Sequence, residues 1–318
     1  MRAAVLAGPA AMMVQDVTRP EPAPDEVRVR LEGCGVCASN VEPYQGQPWS
    51  SFPGEAGGLG HEGWGVVDAA GEKVSGVAVG DRVALLSGRS FAQYDVARGD
   101  AVVKLPESLA GKPFPGEPLG CAMNIFRRSD IRSGQTVAII GIGFLGALLT
   151  RLATDAGAKV IAISRRPSSL ALARAYGAAE TIVMDDHWRI IEDVKRITGE
   201  ALCERVIEAV GKQWPLDLAS ELVGFGGKLI VAGYHQDGPR QVNMQSWNWK
   251  GIDVINAHER DPAVNLRGLR EAVEAVASGR IDPTPLYTHR YTLDEVDQAI
   301  EATRDKPDGF VKALVTYG

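Results

Sequence analysis

A continuous apolar run, Thr136–Ile140, passes directly into Gly141-Ile142-Gly143-Phe144-Leu145-Gly146. A run without polar alternation suits a strand buried on both faces. Three glycines at this spacing suit a tight strand-to-helix turn. The first permits the turn, the second clears the backbone for a close neighbour, and the third lets helix and strand pack closely. A helix-like stretch at 148–156 follows, then a strand at Lys159–Ser164, a helix-like stretch at 168–176 and a strand at 180–184. Further apolar runs lie at 205–208, 228–232 and Asp253–Asn256. This alternation predicts an α/β domain with a doubly wound parallel sheet and right-handed crossovers.

In that context Gly141, Gly143, Phe144, Leu145 and Gly146 read as a dinucleotide phosphate site, with the helix N-terminus offering N–H groups and its dipole to the phosphates. The end of the second strand bears on the ribose. NAD-preferring sites commonly place an acid there; here Ser164 is followed by Arg165 and Arg166. A hydroxyl and two guanidinium groups suit a 2′-phosphate, so NADP(H) is expected over NAD(H). The alternative is a pair of solvated arginines at a strand end.

The chain has 318 residues, which suggests two domains. Its net charge of -6 gives no broad attraction to nucleic acid or an anionic membrane. Four cysteines are too few for a disulfide framework, so a reducing, cytoplasmic setting is expected. The apolar run at 3–14 is broken by Gly8-Pro9 and reads as strand, turn, strand rather than a signal segment. The run at 137–149 is too short to span a bilayer. Before residue 117 the pattern is short strands and turns, at 27–31, 63–69 and 81–86. The tail reads as a helix at 264–277 and a terminal strand at 311–316. The expected domains are 1–122 with 263–318, and 123–262.

Three separated pieces carry metal-ligand residue types: Gly35-Val36-Cys37-Ala38-Ser39-Asn40, Gly60-His61-Glu62-Gly63 and Glu117-Pro118-Leu119-Gly120-Cys121. Each is weak alone, since a lone Cys is usually a small buried hydrophobe. In this order, upstream of the glycine turn, they resemble the zinc-containing alcohol and polyol dehydrogenases of the medium-chain dehydrogenase/reductase superfamily. Met1-Arg2-Ala3-Ala4-Val5-Leu6, Gly80-Asp81-Arg82-Val83 and Gly309-Phe310-Val311-Lys312 extend the resemblance over nearly the whole chain.

The resemblance implies a GroES-like, mostly β catalytic domain beside a Rossmann domain. It implies a catalytic zinc held by Cys37, His61 and Glu117, with Cys121 as the alternate third ligand. Glu62 would be the carboxylate beside the metal, and Ser39 the hydroxyl that relays the substrate proton. Glu42 stands where many members carry an outward histidine, and Asn40 where an Asp orients the ligand histidine. Lys312 matches a position that reaches the cofactor phosphates. The four-cysteine structural-zinc lobe is missing, so at most one zinc per chain is expected. The implied activity is reversible oxidation of an alcohol, polyol or sugar hydroxyl by a homo-oligomer, a dimer or tetramer. A zinc-free quinone or enone reductase of the same superfamily and a non-catalytic cofactor-binding protein are the alternatives.

Other residues carry open readings. Cys34 forms a C-x-x-C with Cys37 but reads as a packed small residue. Trp49, Phe52 and Trp64 would wall a cleft or fill a core. Trp247 and Trp249 are candidates for a subunit contact or a pocket, and His258-Glu259-Arg260 for a polar ligand contact.

Overall fold

The structure is a computed structural model that describes residues 1–317. It divides into a terminal unit, Met1–Cys121 with Asp261–Gly318, and a central unit, Ala122–Arg260.

The terminal unit opens with an antiparallel hairpin, β1 (Arg2–Gly8) and β2 (Ala11–Asp16). There follow β3 (Glu26–Gly35), the short α1 (Val41–Tyr44), β4 (Glu62–Ala70), β5 (Arg82–Leu85), β6 (Tyr94–Arg98) and β7 (Val102–Lys104). Helix α2 (Gly116–Ser129) begins in this unit and carries the chain on into the central one. In β3, Val27, Val29 and Leu31 are buried and pack with Val67, Val83 and Leu85, while on the other face Arg30 is exposed and Arg28 is buried against Asp68. Strands β6 and β7, not foreseen in the sequence, are short and mix charges into their apolar positions.

The central unit runs β8 (Thr136–Ile140), α3 (Phe144–Asp155), β9 (Lys159–Ser164), α4 (Pro167–Ala175), β10 (Glu180–Val183), α5 (His187–Thr198), β11 (Cys203–Glu208), α6 (Gln213–Leu222), β12 (Val223–Val231), α7 (Met244–Lys250) and β13 (Asp253–Asn256). Its six parallel strands lie in the order β10-β9-β8-β11-β12-β13, which is the doubly wound nucleotide-binding order. Val137 to Ile140 are wholly buried, as an unbroken apolar run requires. Helix α3 starts at Phe144, four residues before the stretch expected from periodicity, because Gly146 inside it hides the apolar stripe. Strand β12 also starts early; Gly224, Gly226 and Gly227 mask its first half. Helix α5 places Ile190, Ile191 and Val194 on the core, is capped by Asp186 accepting from the Arg189 N–H, and stops at Gly199 in the left-handed region.

The chain returns to the terminal unit through α8 (Pro262–Ala277), β14 (Tyr287–Tyr291), α9 (Val296–Asp305) and β15 (Lys312–Thr316). Asp261 caps α8 through the Ala263 N–H, and Pro262 takes the first helical position, where no N–H is needed. The seven-stranded sheet runs β14-β15-β3-β4-β5-β7, with β6 also on β3. Strands β4 and β15 flank β3 in antiparallel register, with Glu62 and Leu314 both opposite Gly35. The end of β3 therefore lies beside the starts of β4 and β15. Cys37, His61 and Lys312 are delivered to one end of one sheet by that register.

Trp64 belongs to the core at 2% exposure, whereas Trp49 is 58% and Phe52 38% exposed. Cys34 is buried and free of any disulfide. Among the described residues no helix is long and apolar enough to cross a membrane.

Candidate functional site

Beyond β3 the chain makes a short 3-10 turn, Ala38–Asn40. Asn40 is buried and uses both ends of its amide. Its Oδ1 accepts the Cys37 N–H at 3.0 Å and its Nδ2 donates to the Leu59 carbonyl at 2.8 Å. The same carbonyl lies 2.9 Å from His61 Nδ1. A carbonyl can only accept, so Nδ1 carries a proton and Nε2 is the atom left to face a ligand. Asn40, expected in the place of an acid that orients this histidine, instead ties the Cys37 turn to the turn at Leu59 that leads into β4. The orienting group is the Leu59 carbonyl, and Leu59 itself adopts a φ of 71°.

Ligand atoms of Cys37, His61 and Glu62 lie within 4.8 Å of one another. Glu62 is wholly buried. Lys312 Nζ donates to its Oε1 at 2.6 Å, and its Oε2 has no hydrogen-bond partner among the described residues. A Cβ on Gly35 would stand 1.9 Å from that Oε2, so the carboxylate occupies space that only glycine leaves. Lys312, expected at the cofactor phosphates, is thus buried with its ammonium group held by Glu62. Glu117 lies outside the tight trio. It occupies the first turn of α2, with Cys121 one turn on, and the Cys121 thiol donates to Glu117 Oε1 at 3.2 Å.

The electrostatics of these groups favour a cation. Burial works against protonating His61, yet the sulfur of Cys37 and the carboxylates of Glu117 and Glu62 outweigh it and push its pKa up to about 10. Burial raises Glu117 and Cys121 above their ordinary values. Burial also opposes charge on Lys312, but Glu62 and Cys37 hold its pKa above normal. An orphaned carboxylate oxygen beside a thiol and an imidazole is a donor set that fits zinc. His61, Glu117 and Cys121 also line a cavity of about 300 Å³, with Leu86, Ser87, Pro262 and Asn265.

Ser39 is half-buried in the 3-10 turn, two residues after Cys37. Glu42 accepts from Gln47 Nε2 at 2.6 Å.

In the central unit Gly141 has a φ of 96°, closed to most side chains. A Cβ on Gly146 would meet the Gly141 carbonyl at 2.0 Å, whereas one on Gly143 would meet nothing within 4 Å. The first glycine thus makes the turn, the third permits close packing, and the second faces open space. That space is where a pyrophosphate would press on the backbone and on the N-terminus of α3. Phe144 is buried and Leu145 half-buried at the start of that helix. Ser164 is buried at the end of β9, Arg165 is exposed, and Arg166 is the N-cap residue of α4.

Glu208 is a feature that sequence reading passed over. It ends β11, wholly buried, and its Oε1 accepts the Val210 and Gly211 N–H groups at 2.7 and 2.8 Å. His235 Nε2 approaches its Oε2 at 3.0 Å, and Arg240 Nε donates to His235 Nδ1 at 2.9 Å. The available signal was an acid closing an apolar strand. His258 reaches the Gly233 carbonyl at 3.1 Å, and burial lowers its pKa. Trp247 packs on the central core, while Trp249 is 79% exposed.

Comparison with known proteins agrees with both halves. Residues 23–107 match the alcohol dehydrogenase GroES-like domain, and residues 145–275 match the zinc-binding dehydrogenase family. Sorbitol dehydrogenase of Bacillus subtilis is 25% identical over 99% of this chain and 97% of its own. D-xylulose reductase of Saccharomyces cerevisiae is 24% identical over 98% of this chain and 97% of its own. A zinc-binding dehydrogenase of Sinorhizobium meliloti 1021, solved bound to NADP, is 26% identical with a TM-score of 0.85, covering 99% of each chain. With a glycine-turn parallel sheet, a GroES-like β unit and these matches, the chain belongs to the medium-chain dehydrogenase/reductase superfamily as a zinc-type alcohol and polyol dehydrogenase-like member.

Proposed function

We propose that the protein reversibly oxidises an alcohol, polyol or sugar hydroxyl with NADP(H) at one catalytic zinc. The observation that carries this reading is the Cys37, His61 and Glu62 trio with its unpartnered, buried carboxylate oxygen. Cys37 and His61 would hold the zinc, with Glu117 as third ligand and Cys121 as its alternate. Glu62 is the carboxylate that Lys312 keeps beside them. Zinc in such a set lowers the pKa of a bound alcohol and polarises the carbonyl of the product.

The remaining work falls to residues of the chain. Asn40 and the Leu59 carbonyl hold Cys37 and His61 in orientation. Ser39 would take the proton leaving the substrate hydroxyl, and Glu42 stands two residues beyond its turn to pass it outward. Gly143 would leave room for the cofactor pyrophosphate. Ser164 with Arg165 or Arg166 would receive the 2′-phosphate, which sets the preference for NADP(H). The NADP carried by the Sinorhizobium relative supports this choice of cofactor, and the sorbitol and xylulose relatives support the substrate range.

The test is metal analysis of protein purified without chelator, joined to a panel of alcohols, polyols and sugars read at the nicotinamide absorbance. About one zinc per chain is expected. Cys37→Ala and His61→Ala should each lose the metal and the turnover while remaining folded. Ser39→Ala should lower kcat far more than it changes cofactor affinity. Full turnover by metal-free protein would overturn the zinc reading.

A further inference from the structure

The cavity beside His61 carries a fixed polarity that narrows the substrate class. Asp95 is buried, and its oxygens accept the Arg89 N–H at 3.2 Å, the Val96 N–H at 2.7 Å and the Ser90 hydroxyl at 2.9 Å. Ser90 is wholly buried and pressed against Gly63, where a Cβ would come within 2.4 Å of its oxygen. Ser87 Oγ lies 2.9 Å from Ser90 Oγ. Each hydroxyl has one proton to give. Ser90 spends its own on Asp95, so the contact with Ser87 must use the proton of Ser87. The Ser87 oxygen is left with lone pairs only, and Ser87 lines the cavity of about 300 Å³.

A wall group that can only accept is satisfied by a ligand that donates. Glu117 on the same lining is a second acceptor, and Asn265 at the start of α8 can donate or accept. Among the described residues the lining holds no lysine or arginine, and Leu86 and Pro262 supply its apolar part. A phosphate or carboxylate on the substrate would find no lysine or arginine in this lining to pair with.

We propose that this cavity takes a neutral substrate with a second hydroxyl beside the reacting carbinol, and that this second hydroxyl donates its proton to Ser87 Oγ. Ser87 is thereby a specificity-determining residue for vicinal diols and longer polyols. The inference rests on the oxidoreductase reading above and deepens it.

A matched pair of ligands isolates the donated proton: 2,3-butanediol and 3-methoxy-2-butanol, whose ether oxygen accepts but cannot donate. With zinc-loaded protein and NADP, the ratio of kcat/KM for diol over ether should be about tenfold, the worth of one well-made hydrogen bond. Ser87→Ala should bring that ratio to about one, and Ser87→Thr, which keeps the hydroxyl, should restore it. A wild-type ratio near one, or a ratio that survives Ser87→Ala, overturns the proposal. So does faster turnover of sorbitol 6-phosphate than of sorbitol. Ligand-observed NMR reads the same pair through binding. If no alcohol is oxidised the oxidoreductase reading falls. Tighter binding of the diol that Ser87→Ala abolishes then still upholds the cavity assignment, and equal binding of diol and ether sinks it.

Discussion

Lys312 Nζ lies 2.6 Å from Glu62 Oε1, with both side chains buried and the two residues 250 positions apart in the chain. Removing one partner of such a pair leaves an uncompensated buried charge, at a cost of about 3–5 kcal/mol. Lys312→Met should therefore destabilise the protein by that amount in urea unfolding. Lys312→Met combined with Glu62→Gln should cost less than Lys312→Met alone, because no charge remains to be stranded. A loss below about 1 kcal/mol for Lys312→Met would show that the pair is not the anchor its burial implies.

The glycine turn separates stability from binding. Gly146→Ala forces a Cβ against the Gly141 carbonyl and should destabilise the central unit by about 1–3 kcal/mol. Gly143 has a φ of -97° and open space where its Cβ would go. Gly143→Ala should fold with stability within about 1 kcal/mol of the parent, yet bind NADP markedly more weakly. Thermal melts set beside cofactor titrations decide this. Equal NADP affinity in Gly143→Ala would mean that the space it faces is not the pyrophosphate site.

Cofactor preference should follow Ser164. With no acid at the end of β9, the parent should use NADP with higher kcat/KM than NAD. One charge-assisted contact of roughly 1.5–3 kcal/mol from Arg165 or Arg166 is worth tenfold or more. Ser164→Asp should shift the ratio towards NAD by repelling the 2′-phosphate and accepting from a 2′-hydroxyl. A parent enzyme that prefers NAD would make the two arginines ordinary surface charge.

Asp237 offers a test of the electrostatics of the central unit. Hydrogen bonds from Lys212 and then Arg240 lower its pKa to about 2, against about 3.9 for a free side chain. A depressed carboxylate contributes stability that is full above about pH 4 and is lost as pH falls through its folded value. Carboxyl-resolved NMR should find Asp237 titrating near 2, and Lys212→Ala should move the midpoint upward. A midpoint near 4 in the parent would show that the pair is broken in solution.

The parallel sheet was legible in the sequence because buried strands are written as unbroken apolar runs. Thr136–Ile140 and Lys159–Ser164 coincide with β8 and β9, and Asp253–Asn256 with β13, a mostly exposed edge strand that its Val-Ile pair still marked. Legibility failed where glycine diluted the pattern, as in the first half of β12, and where charges punctuated short strands, as in β6 and β7. For the site, residue type pointed to Cys37, His61 and Glu62, but their surroundings depended on register. That Gly35 makes room for Glu62 follows from the pairing of β3 with β4. That Ser87 can only accept follows from a chain of hydroxyls ending on Asp95. Lys312 was expected at the cofactor phosphates, and its place against Glu62 emerges only when β15 and β4 are laid on either side of β3.

The terminal unit is assembled from two stretches of chain separated by Ala122–Arg260. Joining β15 to β3 therefore closes a very long loop, and for a flexible chain the entropic penalty grows only slowly, by about 0.6 kcal/mol per doubling of length. Slow growth in cost does not mean a fast search, since pairings of high sequence separation delay folding. The central unit, by contrast, is contiguous, and once condensed it no longer behaves as slack polymer. Its early condensation would shorten the effective loop that β15 must close, so the pace at which Lys312 meets Glu62 would depend on a region that contributes neither residue.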